Sequence, residues 1–232
     1  MLHRDDRATR GRAKLTHAPG GTQASFGPEL PRAEGADYAR RAMEDAFRPL
    51  EDALAAYRAA DPDAADIAGE FARFLRSAST VFERAHLVGH FTGSAWLVSR
   101  DGERVLLTHH RKLNAWLQLG GHADGDADLS RVALREAEEE SGLTDLAVEP
   151  AIFDIDRHRI PARANEPEHW HYDVRYVVRA TGGEEFVVGD ESHALAWRRV
   201  DELVDDATVD ASVRRMARKW LAKFPSPARA RG

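Results

Sequence analysis

The chain has 232 residues, with 33 Lys and Arg against 39 Asp and Glu, and its formal net charge of -6 argues against broad, charge-driven binding to a nucleic-acid backbone. Cysteine is absent, which excludes disulfides, thiolate metal sites and cysteine nucleophiles. No run of about 18 apolar residues exists to span a bilayer and the first residues lack the apolar stretch of a secretory signal, so the sequence leads us to expect a cytoplasmic protein with no membrane partner.

Residues 1–35 mix Arg, Gly, Ala, Pro and Thr, and the basic Arg4, Arg7, Arg10, Arg12 and Lys14 read as part of a solvated, disordered leader rather than a nucleic-acid arm. From Ala36 the pattern changes. Met43, Phe47, Leu50, Leu54 and Tyr57 fall on one helical face, Asp61-Pro62 makes a break, and Ile67, Phe71, Phe74, Leu75 and Ala78 repeat the spacing toward Phe82. Residues 36–85 are therefore expected to form a helical hairpin, whose apolar stripes cover the domain that follows or pair with a second copy in a homodimer.

After His86 the period shortens. Residues 90–98 and 104–108 read as strands joined across Asp101-Gly102, with further strands at 146–155, 172–179 and 194–200. A helix is expected at 129–140, and another carries Val213, Met216, Trp220 and Leu221 before a flexible tail at 225–232. The order of elements over 86–224 predicts an α/β/α sandwich around a mixed sheet.

The chemistry concentrates in residues 120–143, GGHADGDADLSRVALREAEEESGL. A glycine loop runs into a helix bearing Glu136, Glu138, Glu139 and Glu140, with Asp128 as N-cap and Gly142 as its stop. At 3.6 residues per turn Glu136, Glu139 and Glu140 share an arc of roughly 100°, with Glu140 nearly in line with apolar Ala133 and Leu129. Carboxylates near a buried surface need a partner, and hard divalent cations take oxygen ligands of this kind. Glu138 points away and reads as a solvated side chain.

These residues resemble the Nudix box, G-x5-E-x7-R-E-U-x-E-E-x-G-U with U aliphatic. The match starts at Gly121 and runs through Arg135, Glu136, Ala137, Glu139, Glu140, Gly142 and Leu143, departing at Ala127, where the box has a glutamate. The resemblance implies a Nudix-type (MutT-like) α/β/α sandwich behind the N-terminal hairpin, and hydrolysis of a phosphoanhydride in a small nucleotide-like substrate. It implies that Glu136, Glu139 and Glu140 hold Mg²⁺ or Mn²⁺, that Arg135 orients them, and that a carbonyl of the Gly120-Gly121 turn and Glu191, ahead of Trp197, add ligands. Such ions would neutralise the diphosphate and activate water, with Glu139 or Glu136 as base. Two rivals explain less: a silent Nudix-like binding module leaves R-E-x-x-E-E without a purpose, and the familiar isoprenoid diphosphate isomerases rely on a cysteine.

Substrate-binding candidates are His122, Arg111, Trp116, Arg159 and Arg163. The polar stretch 156–171, interrupted by Pro161 and Pro167, reads as a loop that shapes substrate choice, its arginines suited to phosphate. Among the 11 histidines, His109-His110, His122, His158, His169 and His171 show no standard zinc spacing. They are expected to pack individually or to line a phosphate-rich pocket as a group, rather than to form a metal site of their own.

Overall fold

A computed structural model of the chain describes residues 32–111, 114–163, 166–188 and 192–225, so the expected leader up to Pro31, the end of the tail and Glu191 lie outside the described residues. Helix α1, Arg32–Ala60, is followed by a 3-10 turn, Pro62–Ala64, that opens on a proline with no N–H to satisfy, and then by α2, Ala65–Leu75. Phe47, Leu50, Leu54 and Tyr57 of α1 are buried together with Ala68, Phe71, Phe74 and Leu75 of α2. The hairpin is thus present but ends at Leu75; beyond it the chain descends through successive turns, with Glu83 N–H bonded to Thr80 O and Phe91 N–H to Val81 O.

The sheet has strands β1, Gly89–Val98; β2, Arg104–His110; β3, Ala115–Leu117; β4, Leu119–His122; β5, Leu146–Ile160; β6, His169–Ala180; and β7, Ser192–Arg199. Its order is β3-β2-β1-β6-β5, with β4 beside β1 and β7 beside β2. β1 and β6 run parallel from Gly89↔Trp170 to Val98↔Arg179, and the remaining pairs are antiparallel. The β1–β2 hairpin closes only at Val98↔Val105. Where it opens, β3 lies along β2 and β4 along β1, from Thr92↔His122 to Ala95↔Leu119. The stretch around Gly120-Gly121, expected as a loop, is therefore strand.

Strand alternation divides the interior into two cores. Phe91, Ala95 and Leu97 of β1 and Tyr172, Val174, Tyr176 and Val178 of β6 face α1, α2 and helix α3, Leu129–Ser141. Trp96 and Val98 of β1, Val105 and Leu107 of β2 and Val177 of β6 face the short helix α4, Val200–Leu203, and α5, Ala211–Lys223. The α/β/α sandwich is complete. The apolar stripes of the hairpin pack on the chain's own sheet, where Phe74 stacks on Tyr172 at 3.8 Å between centroids and 4° between planes. The described residues from Ala39 onward group as one compact unit. No described helix is long and apolar enough to cross a membrane.

The expectation of a long loop over 156–171 is corrected. β5 continues to Ile160 and β6 begins at His169, paired Asp156↔Asp173, Arg157↔Tyr172, His158↔His171, Arg159↔Trp170 and Ile160↔His169. Polar residues form strand here because each finds a cross-strand partner, which single-strand propensity does not register. The connection narrows to residues 161–168, pinned by paired backbone hydrogen bonds between Arg163 and Glu166.

Candidate active site: the glutamate helix and the glycine strand

Helix α3 starts where Asp128 accepts a hydrogen bond from Arg131 N–H at 3.2 Å and stops where Gly142 adopts φ 68°, a left-handed conformation that glycine tolerates best. Leu129, Val132, Ala133 and Ala137 are buried on its inner side. Gly93 of β1 permits this approach, since a Cβ there would stand 2.8 Å from Val132 and 2.9 Å from Leu129 O. The inner stripe fixes the helix's rotation, and with it the direction of every glutamate.

Glu136 comes to rest against β4. Its side chain is only 16% exposed and accepts a hydrogen bond from Arg135 Nη2 at 3.1 Å, while a second Nη2 contact, 3.0 Å to His122 O, ties the same guanidinium to the end of β4. A Cβ on Gly121 would overlap the Glu136 carboxylate, so glycine leaves the carboxylate its seat. Glu140 accepts the Gly120 N–H at 3.2 Å. Glu139 is more open, its side chain 64% exposed and 4.0 Å from Arg135 Nε. Glu138 is exposed, as its position on the helix demands.

Burial pushes the Glu136 carboxyl above the usual carboxylate range, against the pull of Arg135. The residues present fit a divalent cation. An oxygen-only donor set lies on one helical face, with half-buried Glu136 destabilised as an anion in the absence of further positive charge, in a cradle that an alanine at 121 would fill. Ala127, where the box has glutamate, is half-buried and packs on the core. The loop before α3 is braced instead by Asp126, which takes two hydrogen bonds from Arg131 at 2.5 and 2.7 Å.

The other candidates are dispersed. His122 ends β4, half-buried, next to the glycine pair. Trp116 packs with the core on the α5 side of the sheet and lies 5.1 Å from the His109 ring. Arg111 is exposed at the end of β2, Arg159 is exposed and paired with Glu168 at 3.2 Å, and Arg163 is exposed at the hairpin tip. Arg157 is structural: it bridges Glu70 of α2 at 2.7 Å and lies over Trp170 at 4.6 Å.

Sequence reasoning missed a polar row on the sheet face away from α3. Asp173 is 2% exposed; its Oδ1 accepts from Thr92 Oγ1 at 2.9 Å and Ser94 Oγ at 2.7 Å, and its Oδ2 from Arg175 Nε at 2.7 Å and Gln118 Nε2 at 3.3 Å. Arg175 also reaches Asp154 and Asp156, which Arg215 of α5 bridges in turn. Asp173 and Arg175, alternating within an otherwise apolar strand, were the available signal.

Among solved structures, similarity is found to a NUDIX-family hydrolase from Clostridium perfringens, at 26% identity, over 58% of this chain and 97% of that one, with TM-score 0.46. A MutT NUDIX hydrolase from Burkholderia pseudomallei aligns at 26% identity over 56% and 97%, with TM-score 0.45. An Ap4A hydrolase from C. elegans aligns at 17% identity over 57% and 96%, with TM-score 0.46. No curated protein matches the chain. The family model of the NUDIX domain matches residues 90–221, more than half of the chain, and with the glutamate helix seated on its glycine strand inside that span, the protein belongs to the NUDIX family.

Proposed function

We propose that this chain is a divalent-metal-dependent hydrolase that cleaves a phosphoanhydride bond in a nucleoside-diphosphate-linked or similar small substrate, with Mg²⁺ or Mn²⁺ as cofactor. The observation that carries this reading is the seating of Glu136 and Glu140 against Gly121 and Gly120, with Arg135 joining Glu136 to β4. Glu136, Glu139 and Glu140 would hold the cation. When bound, it offsets the diphosphate's charge and acidifies a water.

The chain's own residues do the rest. Arg135 holds Glu136 in one orientation, and the Gly120 N–H does so for Glu140, so the anionic face is formed before substrate arrives. Glu139, the least held of the three, takes the proton the water loses as its oxygen bonds to phosphorus and the bridging P–O bond breaks. Arg159 and Arg163, exposed at the hairpin end, contact the substrate's phosphates as it binds.

The test is release of phosphate or pyrophosphate, with and without Mg²⁺, from dinucleoside polyphosphates, nucleotide sugars, dinucleotide cofactors and nucleoside triphosphates. Turnover of at least one class that stops on chelation is expected. No release from any class at saturating Mg²⁺ or Mn²⁺ would leave the chain a binding module with a hydrolase's fold.

A further inference from the structure

The histidines that show no metal spacing along the chain meet in the fold. His90 on β1 and His171 on β6 are direct register partners, and His122 on β4 pairs with Thr92, two residues from His90 and therefore on the same side of the sheet. That side is away from α3, because the intervening Phe91 and Tyr172 face the α3 core. Among the described residues, one ring nitrogen from each of the three lies within 4.8 Å of the others.

We propose that His90, His122 and His171 form a binding site for a transition-metal cation of the zinc class, separate from the carboxylate site on α3. His90 is 1% exposed, and neither of its ring nitrogens makes a hydrogen bond of sound geometry, the backbone of His86 exerting only a minor pull on the ring. A neutral imidazole has one N–H donor and one lone-pair nitrogen, and leaving both unmatched in a buried ring is costly, so the group points to a ligand. Two nitrogens sharing a tetrahedral cation at 2.0–2.1 Å stand about 3.3 Å apart, which small ring rotations would reach from this cluster. His169 supports the arrangement. Its Nδ1 donates to Pro167 O at 2.9 Å, which orients the ring and sets its Nε2 3.3 Å from His171 Nε2.

The donor chemistry decides between a cation and an anion. The three rings meet on one face of the sheet with no carboxylate of the described residues hydrogen-bonded to His90, so they present imidazole nitrogens rather than a charged pocket. A phosphate needs charge or donors, whereas imidazole suits zinc, copper, iron and nickel, and the α3 carboxylates suit magnesium. Arg84, a cation that acts on both His90 and His122, is neutralised by its bidentate pair with Asp124 at 2.5 and 2.8 Å. The site holds β1, β4 and β6 together at the strand end that carries Gly120 and Gly121. It does not depend on the hydrolase reading being right.

The experiment uses the full chain, stripped with a chelator and kept in excess Mg²⁺, titrated with Co²⁺ and followed by visible ligand-field absorption, with Zn²⁺ as competitor. Stoichiometric Co²⁺ binding displaced by Zn²⁺ is expected, weakened at least about 100-fold in His122→Ala and His171→Ala and unchanged in Glu136→Gln and Glu140→Gln. Absence of binding, or binding lost in the glutamate variants and kept in the histidine ones, overturns the proposal. A second readout needs no substitution. Long-range ¹H–¹⁵N imidazole spectra of the unaltered chain should show histidine ring nitrogens shifting with Zn²⁺ and not with Mg²⁺, and unmoved resonances would equally overturn it.

Discussion

Glu138 and Glu140 are two residues apart on one helix and differ in what they face: Glu138 solvent, Glu140 the Gly120 N–H at 3.2 Å. Glu140→Gln keeps the shape and removes the charge, so turnover should fall by at least about 100-fold while the thermal midpoint holds. Glu138→Gln should match the parent, and equal losses in both would show that the helix is rotated from the position described. Gly121→Ala probes the cradle. The added methyl meets the far end of the Glu136 side chain, which can swing aside at little cost in stability, so kcat should drop by about 10- to 100-fold with a small change in Tm. A large Tm change with normal kcat would place the constraint in the fold rather than in the site.

At the scale of elements, α2 is a lid on the sheet rather than an ornament. Phe71 and Phe74 pack on Phe91 and Tyr172, and Phe74→Ala should cost about 3–5 kcal/mol in chemical denaturation, the usual range for emptying a buried aromatic position. For the same reason a fragment of residues 86–232 should aggregate or unfold, since it bares the face that Phe47, Leu54, Phe71 and Phe74 cover. A soluble, active fragment would refute this. The β5–β6 hairpin makes a different contribution. Arg157 is committed to Glu70, whereas Arg159, in an exposed pair with Glu168, and Arg163 stand at the surface of this end, and their joint replacement by alanine should raise KM or reorder the substrate panel, with kcat falling less than in Glu140→Gln. Unchanged KM on every substrate would reduce the hairpin to a connection.

Across the molecule, charge is balanced inside as well as at the site. Asp154, Asp156 and Asp173 are matched by Arg175, Arg215 and Lys219, linking β5 and β6 to α5 beneath the sheet. Burial alone would raise the Asp156 carboxyl, but the His158 hydrogen bond and the Arg175 and Arg215 charges outweigh it and hold the group below its ordinary value. A carboxyl depressed in the folded state contributes stability that is fully present above its unfolded pKa, about 3.9, and is lost as pH falls through the folded value. Denaturation midpoints should therefore decline below about pH 4, and the decline should be shallower in Asp156→Asn. Parallel acid limbs would remove Asp156 from the account.

What the sequence by itself determined is what neighbours along the chain decide. Helical spacing placed Phe47, Leu54, Phe71 and Phe74 on buried stripes, and Asp128 and Gly142 bounded α3, because caps and periodicity act within a few residues. The Glu136, Glu139 and Glu140 cluster was legible on the same ground, being local to one helix and framed by glycine. Only the tertiary structure decided that Gly120 and Gly121 are strand, since their partner, β1, lies more than twenty residues earlier. It alone turned 156–160 from loop into strand, through partners on β6, and joined His90, His122 and His171. A residue's place on a strand face is set by register, and register is a relation between distant segments that no local pattern of side chains contains.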